Sequence, residues 1–201
     1  EWCVDPLDGT TNYAHRYPFF ATSIGLTCNG MPLLGALAAP ALEALYWAAP
    51  GLGAWCNDEA ITVSDCSELG RSLLVTGFAY DRHTRLDNNY AEFAWFSHRT
   101  QGVRRGGSVA LDLAFVAAGK LDGLWERGLS PWDLAAGVVL AWVGSGWAQP
   151  AGSTDPKKAA PKTVPTALEK KDDKKKKEEA PGKIEGMEIG RGEGFLGIQL
   201  V

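Results

Sequence analysis

Two aspartates, Asp5 and Asp8, stand three residues apart in the string WCVDPLDGTTN (residues 2–12), behind an apolar run and directly ahead of Gly-Thr-Thr-Asn. Two carboxylates held close together repel each other unless a cation sits between them, and hard oxygen ligands of this kind suit Mg2+. The exposed carbonyl of Leu7 could add a third oxygen. Gly9, Thr10, Thr11 and Asn12 read as a turn into a helix start, whose free N–H groups and positive dipole end can hold a phosphate. An Asp-Pro turn followed by an Asp N-cap explains any one of these residues; only the whole string calls for a cation and an anion side by side. A second group lies far along the chain in SPWDLAAGVVLAW (130–142). There Asp133 falls in the first turn of a helix begun by Ser130 and Pro131, where the dipole favours an anion, and Ala135, Ala136 and Gly137 leave a thin face for close backbone packing. Taken alone, that string is an ordinary helix start.

Elements able to hold these groups can be read around them. Residues 2–4, 21–27, 33–38, 44–48, 54–56 and 72–76 are candidate strands divided by Gly, Pro and Asn turns. Residues 88–97, 108–118 and 131–143 carry apolar side chains at helical spacing, with a short strand at 121–125. In this reading the first strand ends at Val4, and Pro6 then turns the chain so that Asp8 returns beside Asp5. The mixture predicts a layered α/β (α+β) architecture. The expected division is a sheet-rich subdomain at 1–70, a second α/β subdomain at 71–149, a Lys/Pro/Ala linker at 150–183 and an unassigned Gly-rich segment at 184–201.

Composition supports a packed core for most of the length: 45% of the 201 residues are hydrophobic, eight of them Trp. Residues 1–150 hold 9 Lys and Arg against 15 Asp and Glu, whereas 151–201 hold 11 against 9, and Lys120 is the only lysine before the break. Pro, Ala, Lys and acidic residues leave 150–183 little to bury, which predicts a solvated, disordered linker. Gly192, Gly194 and Gly197 form a G-x-G-x-x-G pattern, but too few residues follow for the strand–loop–helix unit of a dinucleotide site. A short strand or disorder is the expectation there. Cys3, Cys28, Cys56 and Cys66 show no Cys-x-x-Cys spacing and are expected to be reduced thiols. No apolar run is long enough to span a bilayer. His15 and His98 are set aside as acid catalysts, and Arg104 and Arg105 are expected in structural salt bridges, with contact to a phosphate or a partner subunit as the alternative.

Together the two strings resemble the inositol monophosphatase family of Mg2+-dependent, lithium-sensitive sugar phosphatases. That family carries D-P-x-D-G-T-T-N in its first half and W-D-x-A-A-G in its second; here DPLDGTTN and WDLAAG lie about 125 residues apart. HRYPFFATSIGL, SLLVTG, RRGGSVALDLAFVAAGKLDG and ERGLSPWD extend the likeness over 1–147. The resemblance implies an incomplete αβαβα sandwich of the inositol monophosphatase/fructose-1,6-bisphosphatase type. It implies that Asp5, Asp8, Asp133 and the Leu7 carbonyl ligate metal, and that Gly9 and Thr10 cradle phosphate. The Thr10 hydroxyl would position the attacking water, while Gly107, Ser108, Val109 and Glu126 would meet the sugar.

The implied reaction is two-metal-assisted, in-line attack of water on an inositol monophosphate or related sugar phosphate. Fructose 1,6-bisphosphate, histidinol phosphate and adenosine bisphosphate are the sibling substrates. The family's metal-binding Glu and water-orienting Asp come from helices before the first motif, and its further strand and helix follow the second. Both are missing from this text, so a chain truncated at both ends is expected. Asp5, Asp8 and Asp133 would then hold one metal at most, apolar surface would be exposed, and an inactive remnant or binding module is the alternative to an enzyme. The expected partner is a small sugar or inositol phosphate, with no nucleic acid and no membrane. Self-association as a homodimer and a cytoplasmic or organellar location are left open.

Overall fold

The computed structural model describes residues 1–84, 86 and 88–145, together with the backbone of a strand at Phe195–Gln199. The first sheet is a six-stranded antiparallel meander of β1 (Trp2–Asp8), β2 (Ala21–Cys28), β3 (Met31–Ala39), β4 (Ala44–Ala49), β5 (Gly53–Cys56) and β6 (Glu59–Ala60) in chain order. Asn29 and Gly30, with φ of 51° and 76°, close the β2–β3 hairpin with the left-handed pair that matches strand twist. The second sheet has the order β10–β9–β7–β8, built from β7 (Leu73–Thr76), β8 (Gly102–Arg104), β9 (Gly123–Arg127) and β10 (Phe195–Gln199). Its β7 runs parallel to β8 and β9, with helices α2 (Tyr90–Ser97) and α3 (Val109–Ala117) as the crossovers, and β10 pairs antiparallel to β9.

Helices α3 and α4 (Pro131–Gly144) form the layer between the sheets. On one side Leu111, Ala114, Val139, Leu140 and Val143 pack against Leu37, Tyr46 and Ala48 of the first sheet. On the other side Leu113, Val116 and Leu134 meet Val75 and Leu124 of the second. Helix α2 covers the far face of the second sheet, where Phe96 packs on Trp125 with ring centroids 4.5 Å apart. The fold is a mixed α+β sandwich.

The thin face expected of α4 has a definite counterpart. A Cβ added to Gly35 of β3 would lie 2.5 Å from the Ala136 carbonyl oxygen, and one added to Gly25 of β2 would strike Ala135. Gly137 in turn gives its space to Leu113 of α3, whose Cδ1 would be 2.5 Å from an added Cβ. The helix is therefore pressed directly onto β2 and β3, which brings its N-terminus to the end of β1.

Several boundaries differ from expectation. β1 continues through Pro6 to Asp8 instead of stopping at Val4, and the strand expected at 121–125 is Gly123–Arg127, so Glu126 lies within it. β6 and β8 were not legible in the sequence; they are two and three residues long. Residues 150–194, including the linker, Gly192 and Gly194, lie outside the described residues, whereas Gly197 sits in β10 opposite Trp125. All four cysteines are free thiols. Among the described residues no helix is long and apolar enough to cross a membrane.

Candidate metal and phosphate site

Residues three apart on a regular strand face opposite sides, and a bulge in β1 cancels that parity. The β1–β2 register steps from Asp5 opposite Ser23 to Asp8 opposite Ala21, three residues against two, so the extra residue puts both carboxylates on the face that Ser23 and Ala21 share. That is the correction to the expected Pro6 turn. A proline is tolerated at this bulge because its missing N–H falls where the ladder is interrupted. The Thr22 hydroxyl donates to the Pro6 carbonyl at 2.9 Å, and the Leu7 amide donates to Asp5 Oδ1 at 3.0 Å.

Asp8 is buried. Its Oδ2 accepts from the Ser108 hydroxyl at 2.6 Å and from the Ala110 amide at 2.8 Å, both at the start of α3. Burial nevertheless raises its pKa above the usual carboxylate value, outweighing the Ser108, Ala110 and Gly9 hydrogen bonds, and the neighbouring Asp5 charge pushes the same way. Asp133, at the N-terminus of α4, receives the Ser130 amide on Oδ2 at 2.7 Å. Its pKa is also raised, first by burial and then by Asp8 and Asp5. Glu126 of β9 is pushed up to about 8 by burial, then by Asp8 and Asp133, with Arg105 opposing. Carboxylates from β1, α4 and β9 thus share one field, and the Glu126 Oε2 is buried without a hydrogen-bond partner. Gly77, directly after β7, makes room for that carboxyl, since an added Cβ would collide with it.

These groups fit a hard dication in kind: they are oxygen donors, partly desolvated, mutually repelling, and each of the three aspartates is fixed through one oxygen. In number they leave the shell open. Among the described residues no group of three or more His, Cys, Asp and Glu side chains is gathered tightly enough to hold a metal ion. Mg2+ commonly binds through one or two carboxylates, with water and substrate phosphate completing its octahedron, so an open shell of aspartates suits it.

The other expected residues fall as follows. Gly9, with φ of 84°, precedes the short helix α1 (Thr10–Ala14), and its amide serves Asp8; Thr10 is exposed at the first position of α1. First-turn amides of a helix lack intrahelical acceptors. Ser108 donates to Asp8, Gly107 lies beside Asn12, and Val109, half-buried, packs against the cluster that holds Leu113 and Val116. His15 and His98 are exposed at the ends of α1 and α2. The salt bridges expected of Arg104 and Arg105 do not form among the described residues; an ion pair forms instead between Arg127 and Glu92 at 2.6 Å.

Two residues of the site were given no side-chain role from the sequence. Asn12 donates through Nδ2 to the Phe19 carbonyl at 2.7 Å and to the Gly106 carbonyl at 3.0 Å. Asp112 is buried in α3, its pKa raised by burial and by Glu126 and Asp8. The available signal for Asp112 was its place as the one charge within SVALDLAFVAA.

A family model for the inositol monophosphatase family matches residues 1–164. The inositol-1-monophosphatase of Synechocystis is 56% identical over 139 residues, covering 69% of this chain and 48% of the relative. The solved inositol monophosphatase of Anabaena (Nostoc) is 61% identical with a TM-score of 0.70, covering 71% of this chain and 57% of that one. The protein named fructose-1,6-bisphosphatase/inositol-1-monophosphatase in Aquifex aeolicus is 39% identical over 139 residues, 69% of this chain and 53% of its own. The chain thus spans about half the length of the curated relatives it matches. With both motifs, the sandwich and a family match over most of its length in agreement, the chain belongs to the inositol monophosphatase family.

Proposed function

We propose that this chain is a Mg2+-dependent phosphomonoesterase acting on an inositol monophosphate or a related sugar phosphate. The observation that carries this is the shared field of Asp5, Asp8 and Asp133, drawn from distant parts of the sequence, with Asp8 directly before the start of α1. These three carboxylates and the Leu7 carbonyl would hold Mg2+, which when bound supplies a polarised water and charge neutralisation for phosphate oxygens.

The chain's own groups do the rest. Ser108 and the Ala110 amide fix Asp8, and the Ser130 amide fixes Asp133, so both carboxylates are set in place before a ligand arrives. The first-turn amides of α1 receive phosphate oxygens, and the Thr10 hydroxyl orients the attacking water. Glu126, poorly solvated and with one oxygen unpartnered, accepts from a hydroxyl of the sugar ring, which Gly107, Ser108 and Val109 would also meet. Water displaces the sugar oxygen in line, with no covalent intermediate on the chain. Fructose 1,6-bisphosphate remains a candidate through the bifunctional Aquifex relative, and inositol 1-phosphate is the first choice because Glu126 is present.

A second reading, a phosphate-binding remnant without turnover, is favoured by the absence of a tight three-residue ligand group among the described residues. Phosphate release from inositol 1-phosphate by the 201-residue chain, with and without Mg2+, separates the two. Turnover that needs Mg2+ and is lost in Asp133→Asn supports the enzyme; turnover no greater than that of Asp133→Asn supports the remnant.

A further inference from the structure

The Asp-Gly-Thr-Thr-Asn string has a last member, Asn12, that the reaction above does not use. Its side-chain nitrogen spends both hydrogens on main-chain oxygens of two different loops, Phe19 at 2.7 Å and Gly106 at 3.0 Å. The glycines around it leave little room. Gly107, at φ of 86°, would place a Cβ 3.0 Å from Asn12 Nδ2. A Cβ on Gly106 would strike the Asp112 carboxylate and lie 2.5 Å from the Phe19 ring. Gly9 in turn is wedged between the Phe19 carbonyl, 3.0 Å from its added Cβ, and the Ser108 Cβ at 3.2 Å. The loop so clamped leads directly into Ser108 and Ala110, the two donors on Asp8.

We infer that Asn12 is a positioning residue: by tying the Gly106 carbonyl to the first motif, it sets the Ser108–Ala110 donors against Asp8. The geometry stands independently of any reaction, and its consequence for catalysis rests on the proposed phosphatase function. Only an amide of this length serves. Aspartate would turn an acceptor oxygen toward two carbonyl oxygens, and glutamine would overrun the space that Gly107 leaves.

The test is hydrogen exchange on the full chain with Asn12→Asp, reading the Ala110 amide against the amides of Val139–Val143 in α4. Exchange at Ala110 about tenfold faster, with α4 unchanged, is expected, together with a Mg2+ dissociation constant raised about tenfold by calorimetry. In the Ser108→Ala background the same substitution should add little to the loss of Mg2+ affinity, because the two act through one bond. Uniform acceleration across both segments, unchanged exchange at Ala110, or fully additive effects on Mg2+ affinity would overturn the inference. Should Asn12→Asp fail to fold, Asn12→Ala removes the donor without setting an acceptor there, and its exchange is read in the same way. Loss of the proposed activity in the wild-type chain would count against the phosphatase and leave the exchange result to decide the role of Asn12.

Discussion

Asp8 shows at the scale of one residue how a site trades stability for charge. Its hydrogen bonds from Ser108 and Ala110 favour the ionised form, yet burial and Asp5 outweigh them and its pKa is raised. Removing that charge without changing shape should therefore help the fold and harm the site. Asp8→Asn is expected to raise metal-free stability by about 1 kcal/mol at pH 8 and to abolish the stabilisation that Mg2+ gives, both read from thermal melts with chelator or with Mg2+. Glu126 gives the pH dependence. Its folded pKa, about 8, lies above the ordinary 4.5, so the stability it contributes is fully present below pH 4.5 and is lost as pH rises through about 8. Asp8, Asp112 and Asp133 are raised as well and push in the same direction. At about 1.4 kcal/mol per pKa unit, the metal-free chain should lose a few kcal/mol between pH 5 and pH 9. Glu126→Gln should flatten much of that slope in melts taken across the range, and an unchanged slope would show that the carboxyl is better solvated than its burial implies.

At the scale of elements, the position of Asp133 depends on how closely α4 can approach the first sheet. Gly25 and Gly35 permit that approach, and a methyl group at Gly35 would meet the backbone of Ala136. Gly35→Ala is expected to cost about 1–3 kcal/mol in urea denaturation and to weaken Mg2+ binding by moving Asp133 away from β1. The same substitution at Gly30, where an added Cβ meets nothing, serves as a comparison for close packing, though its positive φ brings strain of its own. The Ala-Ala-Gly run of α4 was legible as a thin face because small residues at consecutive helical positions have one common use. Its partners were not, since a glycine within a strand pattern does not say which element will press on it. The bulge in β1 was hidden for a related reason: Pro6 reads as a strand end, and only the β1–β2 register reveals that the chain continues past it with one residue to spare. Ser108 was expected at the sugar pocket, and its hydrogen bond to Asp8 was not legible beforehand, because that contact turns on which way a helix N-cap hydroxyl points.

For the whole molecule, the sheet–helix–sheet order brings Asp5 and Asp133 together from far apart in sequence, and it leaves the outer face of the first sheet uncovered among the described residues. Val4, Ile24, Ala36, Trp47 and Trp55 lie directly opposite one another across five strands, with Trp2 62% and Val4 49% exposed. A continuous apolar face of this kind favours association. The 201-residue chain should sediment as larger species with rising concentration, and Val4→Lys with Leu45→Lys should shift it toward the monomer; a monomer at all concentrations would show that the face is covered. The central claim, however, is that Asp5, Asp8 and Asp133 form one cation site. Calorimetric titration with Mg2+ tests it most directly, comparing the wild-type chain with Asp5→Asn and Asp133→Asn, which alter opposite halves of the fold. Saturable binding by the wild type, lost in both variants, is the predicted result; equal binding in all three, or loss in only one, would contradict it.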